Sequence, residues 1–215
     1  MSEARDWAGE SEQAVLDEAL KLVPQRGWTW PTAYAAGRTA GLSRGEVELL
    51  LPHGPRDLAA LLSRRHDQAA LAMLAGVDPA ALKVRERIRR AVEARLQAAG
   101  RDEAALYRWV GFLALPTRLP LALRLLWESA DALWRWAGDT ATDENHYTKR
   151  LILAEILASS LAIRLAEGQG AAMAHVDRRI EAVMAYERFK ARVKVADAAA
   201  SIATALGRIR YGLAR

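Results

Sequence analysis

The sequence predicts an all-α protein of about ten helices, and three observations support this. Ala, Leu and Arg dominate the 215 residues whereas glycine contributes only 14, a composition that favours helix over strand. Apolar residues recur at spacings of three and four along most of the chain, and no segment shows the alternation typical of a strand. Hydrophobic residues make up 52% of the sequence, which is enough for the core of one domain.

Within the first 54 residues, the sequence predicts a disordered polar segment followed by a module of three helices. Residues 1–11 are polar, and we expect them to be disordered. The three helices are predicted at Glu12–Arg26, from Trp28 to the Ala40-Gly41 turn, and from the cap Ser43 to the residue before Pro52. Residues 12–54 therefore form a helix-turn-helix-like module, which resembles the amino-terminal domain of TetR-type regulators.

Residues 55–190 predict the main helical domain. The helices are expected at Pro55–Ala75, Pro79–Ala99, Arg101–Leu115, Thr117–Trp136, Asp143–Ala166 and Met173–Lys190. The helix at Thr117–Trp136 is apolar almost all round, so we expect it to be buried. Bulky apolar residues concentrate in this helix and the one before it: Trp109, Phe112, Leu115, Leu119, Leu123, Trp127 and Trp134. They predict either a pocket for a long apolar ligand or a simple packed core.

Residues 191–215 predict an amphipathic helix with a basic character. Its narrow apolar stripe includes Val195, Ile202, Leu206, Ile209 and Leu213, beside Arg208 and Arg210. Seven basic and two acidic residues lie between Tyr186 and Arg215, so this end carries the whole formal net charge of +5. Such a helix suits an anionic membrane surface, and it suits packing on the protein's own core equally well. A solvated tail without a partner is the third interpretation.

The sequence shows no targeting signal, so we expect a cytoplasmic protein. The N-terminus lacks a basic segment followed by an apolar one, so a secretory signal is not expected. No apolar run reaches the roughly 20 residues that cross a bilayer. The absence of cysteine excludes disulfides and thiolate chemistry and agrees with a cytoplasmic location.

The segment 137–150 joins two of the predicted helices and is dense in capping and contact groups. We expect Gly138 to end the preceding helix in a left-handed conformation. Thr142 or Asp143 is expected to cap the next helix. Polar and aromatic groups then cluster on the first turns of that helix: Asn145, His146, Tyr147 and Arg150. This cluster predicts a surface that docks a partner.

The same segment resembles a known protein family. The matching residues are Ala137-Gly138-Asp139, Thr142-Asp143-x-Asn145-x-Tyr147-Thr148-Lys149-Arg150, Asp177-Arg178-Arg179-Ile180, Val84-Arg85-Glu86-Arg87-Ile88 and Ala114-Leu115-Pro116. Together they resemble the ubiquinone-biosynthesis accessory lipid-binding proteins, the family of the ninth Coq protein, over roughly residues 13 to 195. The sequence departs from this family at His146, where members usually have Trp.

The resemblance implies a TetR-like fold and a function without catalysis. It implies a homodimer formed through helices at roughly 143–190; the charge placement along the chain argues against DNA as a partner. It also implies that an isoprenoid or other long-chain lipid lies against the residues from Trp109 to Trp134 named above. The protein would present a polyprenylated quinone precursor to a membrane-associated hydroxylase of the ubiquinone pathway. The hydroxylase would dock on Asp143, Asn145, His146, Tyr147 and Arg150, and the C-terminal helix would meet the membrane.

The residues themselves give little support to catalysis or to metal binding. The four histidines are scattered, and the sequence has no HExxH, no Gly-rich phosphate loop and no GxSxG. A metal site drawn from Asp139, Asp143, Glu144 and His146 is less economical than helix capping and solvated charge. We therefore expect neither an enzyme nor a resident metal or cofactor.

A ligand-responsive repressor is the alternative function. A TetR-like regulator reads the major groove with its third helix and grips phosphates with basic residues. Here that helix, residues 43–51, has one Arg and two Glu, and the net positive charge lies at the other end of the chain. A lipid carrier outside the quinone pathway and a purely structural dimer also remain open.

Overall fold

The computed structural model describes residues 3–139 and 144–186, with side chains from residue 7 in the first segment and from residue 146 in the second. All the regular structure in these two segments is helical, which confirms the all-α prediction. The order of the helices is compatible with a TetR-like arrangement.

The N-terminal module consists of α1 (Glu3–Arg26), α2 (Trp30–Thr39) and α3 (Arg44–Leu50). Helix α1 begins well before the expected Glu12, so residues 3–11, predicted to be disordered, are helical; Glu, Ala and Arg in this stretch favour extension of the helix. Ser43 caps α3 as predicted, and its hydroxyl accepts from the Glu46 backbone while the Glu46 carboxylate accepts from the Ser43 backbone.

The main domain continues with six further helices. They are α4 (Pro55–Leu74), α5 (Val84–Ala99), α6 (Glu103–Leu113), α7 (Leu119–Trp136), α8 (Glu144–Glu167) and α9, helical over 169–186. Three of the predicted helices begin later than expected, because short 3-10 turns precede them at Pro79–Ala81, Gly100–Asp102 and Pro116–Arg118. Two of these turns start with proline, which has no N–H to donate and restricts the residue before it.

Two apolar clusters form the core. The first contains residues of α1, α2 and α6, and the second contains residues of α5, α8 and α9. Helices α4 and α7 contribute to both, since Leu58 and Leu125 belong to the first cluster and Leu74 and Leu133 to the second. These two helices therefore join the N-terminal module to the rest of the described chain.

Helix α7 is buried on one face only, so the prediction that it is buried on most faces was wrong. Leu125 and Leu133 pack in the core, whereas Leu119 is 53% exposed and Leu123 is 58% exposed. The apolar residues of this helix that do not pack in the core, such as Leu119 and Leu123, therefore lie on the protein surface. An exposed apolar stripe of this kind is common where a partner or a ligand binds.

The predicted C-terminal helix and its membrane-contact residues, from Val195 to Leu213, lie outside the described residues. Within residues 3–139 and 144–186, no single helix has the length and apolar composition of a bilayer span. The segments Val84–Leu113 and Pro116–Trp136 reach that composition only as a pair, bent by 97°.

Candidate functional site

The junction between α7 and α8 is closed by a regular helix ending. Gly138 adopts φ 83°, the left-handed conformation that the sequence predicted. Its N–H donates to the Arg135 carbonyl and the Asp139 N–H donates to the Trp134 carbonyl, the paired bonds of a Schellman motif. The chain therefore leaves α7 in a defined direction, which brings Asp139 back towards the first turns of α8.

A buried group of charges holds this junction together. The Arg150 side chain, only 2% exposed, donates from Nε to Asp131 Oδ1 at 2.6 Å and from Nη1 to Asp139 Oδ2 at 3.0 Å. Lys149 Nζ donates to the other oxygen of Asp139 at 2.6 Å. Burial raises the pKa of Asp139, but the hydrogen bonds from Lys149 and Arg150 outweigh burial, so the pKa lies below its usual value. Asp139 is thus a carboxylate at neutral pH.

A second arginine ties α5 to the same junction. Arg87 donates from Nη1 to the Ala137 carbonyl at 2.8 Å and from Nε to the Leu82 carbonyl at 2.9 Å. The first of these acceptors is at the C-terminal end of α7, where carbonyl groups lack partners within the helix. Arg87 thereby links the start of α5 to the end of α7.

Three aromatic rings lie together on the outside of the junction; we call this group the aromatic surface (Trp127, His146 and Tyr147). The Trp127 ring is centred 6.4 Å from His146 and 5.9 Å from Tyr147, and the His146 and Tyr147 rings are 5.3 Å apart. Tyr147 is 61% exposed, and Leu151, one turn further along α8, is equally exposed. Tryptophan and tyrosine rings held at a surface in this way are typical of the central anchors of protein interfaces.

The inner side of α8 borders a cleft between α5, α7, α8 and α9, which we call the α5–α9 cleft. It has a volume of about 390 Å³, within the size range of small-molecule sites. Its apolar walls include Ile88, Trp134, Ile152, Ile156, Ile180 and Met184. Its charged lining residues are Arg85 and Lys149, both cations. The cleft suits a ligand with a long apolar part.

The predicted lipid-contact residues do not share one cavity within the described structure. Trp134 lines the α5–α9 cleft, whereas Trp109 is buried, donates to the Ala59 carbonyl and borders a separate cavity of about 30 Å³. Phe112 packs against Trp28 in the N-terminal half. Trp127 belongs to the aromatic surface, and the remaining three residues, Leu115, Leu119 and Leu123, are exposed at the α6–α7 corner and along α7.

The predicted partner-contact residues separate into two groups. His146 and Tyr147 lie on the aromatic surface, and His146 takes the place in the ring cluster where the family usually has Trp. The expected partner contact of Arg150 has to be corrected. Its guanidinium is buried and engaged by Asp131 and Asp139, so it cannot reach a partner. Asp143 lies outside the described residues, as does the Asn145 side chain.

Sequence reasoning missed the residues that build the cleft. Ile152 and Ile156 are four apart on α8 and Ile180 and Met184 are four apart on α9, a spacing that marks one helix face. The periodicity was visible, but it does not reveal whether two such faces close on each other or leave space between them. Arg87 and Asp131 were missed for the same reason, because their partners are distant in sequence.

The four residues of the possible metal site do not form one within the described part of the chain. Asp139 is paired with two cations, and the described residues contain no group of three His, Cys, Asp or Glu side chains placed to hold a metal ion.

On α3, Arg44 Nε bonds Glu48 at 3.0 Å and its guanidinium lies over the Tyr34 ring. The only arginine of the predicted DNA-reading helix is therefore engaged within the module.

Comparisons with known proteins bear on the same region. A COQ9 family profile matches residues 119–187, which contain α7, the junction, α8 and α9. "Ubiquinone biosynthesis protein COQ9, mitochondrial" of Rattus norvegicus is 30% identical over 164 residues, covering 72% of this chain and 52% of the relative. The Homo sapiens protein of the same name is 30% identical over 164 residues, with 72% and 51% covered.

A more distant relative extends the comparison to a yeast. "Ubiquinone biosynthesis protein coq9, mitochondrial" of Schizosaccharomyces pombe is 28% identical over 149 residues, covering 68% of this chain and 58% of the relative. The chain thus spans about half the length of the curated relatives that it matches. The family profile, the extent of these matches and the motif around the α7–α8 junction agree: the chain belongs to the COQ9 family.

Proposed function

We propose that this protein serves ubiquinone biosynthesis as a non-enzymatic accessory, which holds the isoprenoid chain of a quinone precursor in the α5–α9 cleft. The observation that carries the proposal is this cleft of about 390 Å³, with walls of Ile, Leu, Val, Met and Trp. Burial of apolar ligand surface contributes about 0.8 kcal/mol per CH₂, so a few isoprene units give useful affinity without any polar contact.

The aromatic surface is the proposed docking site for the hydroxylase that uses this precursor. Tyr147 points outward, whereas its neighbours Thr148 and Lys149 line the cleft. One turn of α8 therefore separates the proposed ligand from the proposed partner. This arrangement supports presentation, because a ligand leaving the cleft past α8 emerges beside the docked enzyme.

The lipid part of the proposal is tested by native mass spectrometry of the purified protein, followed by organic extraction and lipid identification. We expect a co-purified isoprenoid or other long-chain lipid. The variant Ile152→Phe narrows the cleft and should lower the bound fraction several-fold. Leu151→Phe, a matched change on the exposed side of α8, should leave it unchanged. Equal lipid content in the two variants would place the lipid elsewhere.

The docking part is tested by capture of the hydroxylase on immobilised protein. Tyr147→Ala should weaken capture by at least tenfold, since aromatic anchors at an interface commonly contribute 2 kcal/mol or more, in round terms about 30-fold. Tyr186→Ala, a similarly exposed tyrosine at the end of described α9, is the control. Intact capture by Tyr147→Ala, with unchanged thermal stability, would move the docking surface away from the junction.

Membrane contact and dimerisation complete the proposal. We propose that Arg208 and Arg210 attract anionic lipid, each basic residue contributing about 1 kcal/mol, and that the protein associates peripherally with the inner face of a membrane. Reversing both charges should weaken liposome flotation at low salt, and unchanged flotation would remove this role.

A homodimer through α8 and α9 is expected in light scattering coupled to size exclusion, and a monomer would contradict it.

A further inference from the structure

The polar end of the α5–α9 cleft indicates what kind of head group its ligand carries. Two charged residues line the described cleft, Arg85 on the first turn of α5 and Lys149 on α8, and both are cations. No acidic residue is among the described lining residues. An apolar cleft whose described lining carries positive charge is complementary to an amphiphile with one apolar chain and one anionic head.

Lys149 is held in a fixed place for such a contact. Its ammonium bonds Asp139 at 2.6 Å and lies 5.5 Å from the centre of the Trp134 ring, which is itself part of the cleft wall. An ammonium has three N–H donors, and the bond to Asp139 uses one of them. Trp134 is fixed in turn by its own bond to the Lys149 carbonyl at 3.0 Å. Trp134 of the apolar wall and the Lys149 cation are thus joined by direct contacts.

The residues around Arg85 add positive charge at the opening of the cleft. A shallow groove next to the cleft shares Arg85, Ile180 and Met184 with it and adds Arg178 and Glu181 from α9. Glu181 is the acidic residue among the lining residues of this groove, and the formal charge of Arg178 offsets it. The opening between α5 and α9 therefore keeps a net positive charge.

We propose that the α5–α9 cleft selects single-chain lipids with an anionic head, which Arg85 and Lys149 bind at the opening while the chain lies along Ile152 and Ile156. This inference rests on the proposed lipid function and goes beyond it, because a neutral quinone precursor requires no cation. The cleft would then bind acidic amphiphiles such as fatty carboxylates in competition with its quinone ligand.

The test compares two probes that differ only in the head. Dodecanoate and 1-dodecanol, below their aggregation limits, are titrated into the full chain at pH 7.5 and low salt by isothermal calorimetry. We expect dodecanoate to bind about tenfold more tightly than dodecanol, and the difference to shrink when the salt concentration is raised to 0.5 M. Equal affinity for the two probes overturns the anionic-head inference and leaves the lipid function standing.

Charge reversal locates the head group. Arg85→Glu should abolish the preference for dodecanoate while leaving dodecanol affinity within twofold of the unaltered protein. Arg90→Glu, the same change at another exposed position of α5 outside the cleft lining, should retain the preference. If both variants lose the preference, it comes from overall charge; if both retain it, Arg85 does not bind the head group. Either outcome overturns the inference. If neither probe binds the unaltered protein, the proposed lipid function fails together with it.

Discussion

At the scale of single residues, Arg150 shows how a residue chosen for contact can have a structural role. It lies in a motif rich in exposed groups, yet its guanidinium is buried between two carboxylates of α7 and the loop that follows. Its position orders the first turns of α8, and so it controls the aromatic surface indirectly. We therefore expect the charge of Arg150 to maintain the geometry of the proposed docking surface without contacting the proposed partner.

Replacing Arg150 should be costly because Asp131 and Asp139 each lose a buried cationic partner, and only the more exposed Arg135 and Lys149 remain beside them. Arg150→Met is expected to lower the free energy of unfolding by about 3 kcal/mol in urea denaturation. Arg124→Met, which breaks an exposed pair with Glu128, should cost less than about 0.5 kcal/mol. A comparable loss in the two variants would mean that the buried cluster does not stabilise the junction. Adding Asp139→Asn to Arg150→Met should recover part of the loss.

His66 is a second buried residue with a measurable signature. It lies in the core between α4 and the turn before α6, where its Nε2 is 2.8 Å from Asp102 Oδ2. Burial lowers the pKa of His66, and the hydrogen bond with Asp102 opposes this effect without cancelling it. Folded His66 therefore stays neutral at a pH where the same group in the unfolded chain, with a pKa of about 6.5, takes up a proton.

The sign of the pH dependence follows from that difference. The unfolded state binds more protons, so the stability that His66 contributes is present above about pH 6.5 and is lost as the pH falls through the lower folded-state pKa. We expect the free energy of unfolding to decrease between pH 7.5 and pH 5, and His66→Gln to reduce that decrease. His53→Gln, the same substitution at an exposed histidine, is the control. A slope that is the same in all three proteins contradicts the assignment.

At the scale of elements, the structure depends on how successive helices are joined. Gly54 connects α3 to α4 with φ 57° and ψ −114°, a conformation open mainly to glycine. A Cβ at this position would lie 2.4 Å from the Trp30 ring, which stacks on Tyr34 of the same helix. The absence of a side chain at Gly54 thus allows α2, α3 and α4 to pack closely.

Gly54 and Gly45 should respond in opposite directions to the same substitution. Gly54→Ala is expected to lower the free energy of unfolding by about 1–3 kcal/mol, from backbone strain and the clash with Trp30. Gly45 lies within α3 with open space around it, so Gly45→Ala should raise that free energy by about 0.5–1 kcal/mol. Thermal melting of the two variants checks both signs. A destabilised Gly45→Ala would show that α3 needs the flexibility of glycine.

Helix α7 connects element scale to function. Its buried face, with Leu125 and Leu133, joins both core clusters, while Leu119, Leu123 and Trp127 follow one another at four-residue spacing on the other side. This second stripe leads along the helix to the aromatic surface. One helix therefore supplies part of the core and part of the surface that we assign to the partner.

At the scale of the whole molecule, α4 and α7 make the two core clusters interdependent. Leu161 of α8 is also packed against both clusters. Since α4 and α7 pack in both clusters, we expect a single unfolding transition over the described helices. The N-terminal module should then act as part of the core and not as an independent domain.

Cooperativity is tested by one truncation in each cluster. Leu62→Ala in the first cluster and Ile156→Ala in the second should each cost about 2–5 kcal/mol. Each should shift far-ultraviolet circular dichroism and tryptophan fluorescence to the same urea midpoint. Transitions that separate in either variant would show that the two clusters unfold independently.

The sequence was sufficient for the existence of the described helices, for the helix ends at Ser43 and Gly138, and for the family. Apolar spacing located α1 to α9, local hydrogen bonding located Ser43 and Gly138, and the motif from Ala137 to Arg150 identified the family, because each of these signals depends on neighbours in the chain. Helices α5 and α7 begin later than predicted, since short 3-10 turns form first at Pro79 and Pro116.

Only the tertiary structure decided which apolar residues are core, cleft or surface. Trp109, Trp134 and Leu123 look alike in a hydrophobic pattern, yet they are respectively buried, on the cleft wall and exposed. Arg150 looked like a contact residue until Asp131 and Asp139 were brought to it. The physical reason is common to all of them: burial, cavity space and charge pairing are set by the segments that pack against a residue, and periodicity along one helix carries no information about those segments.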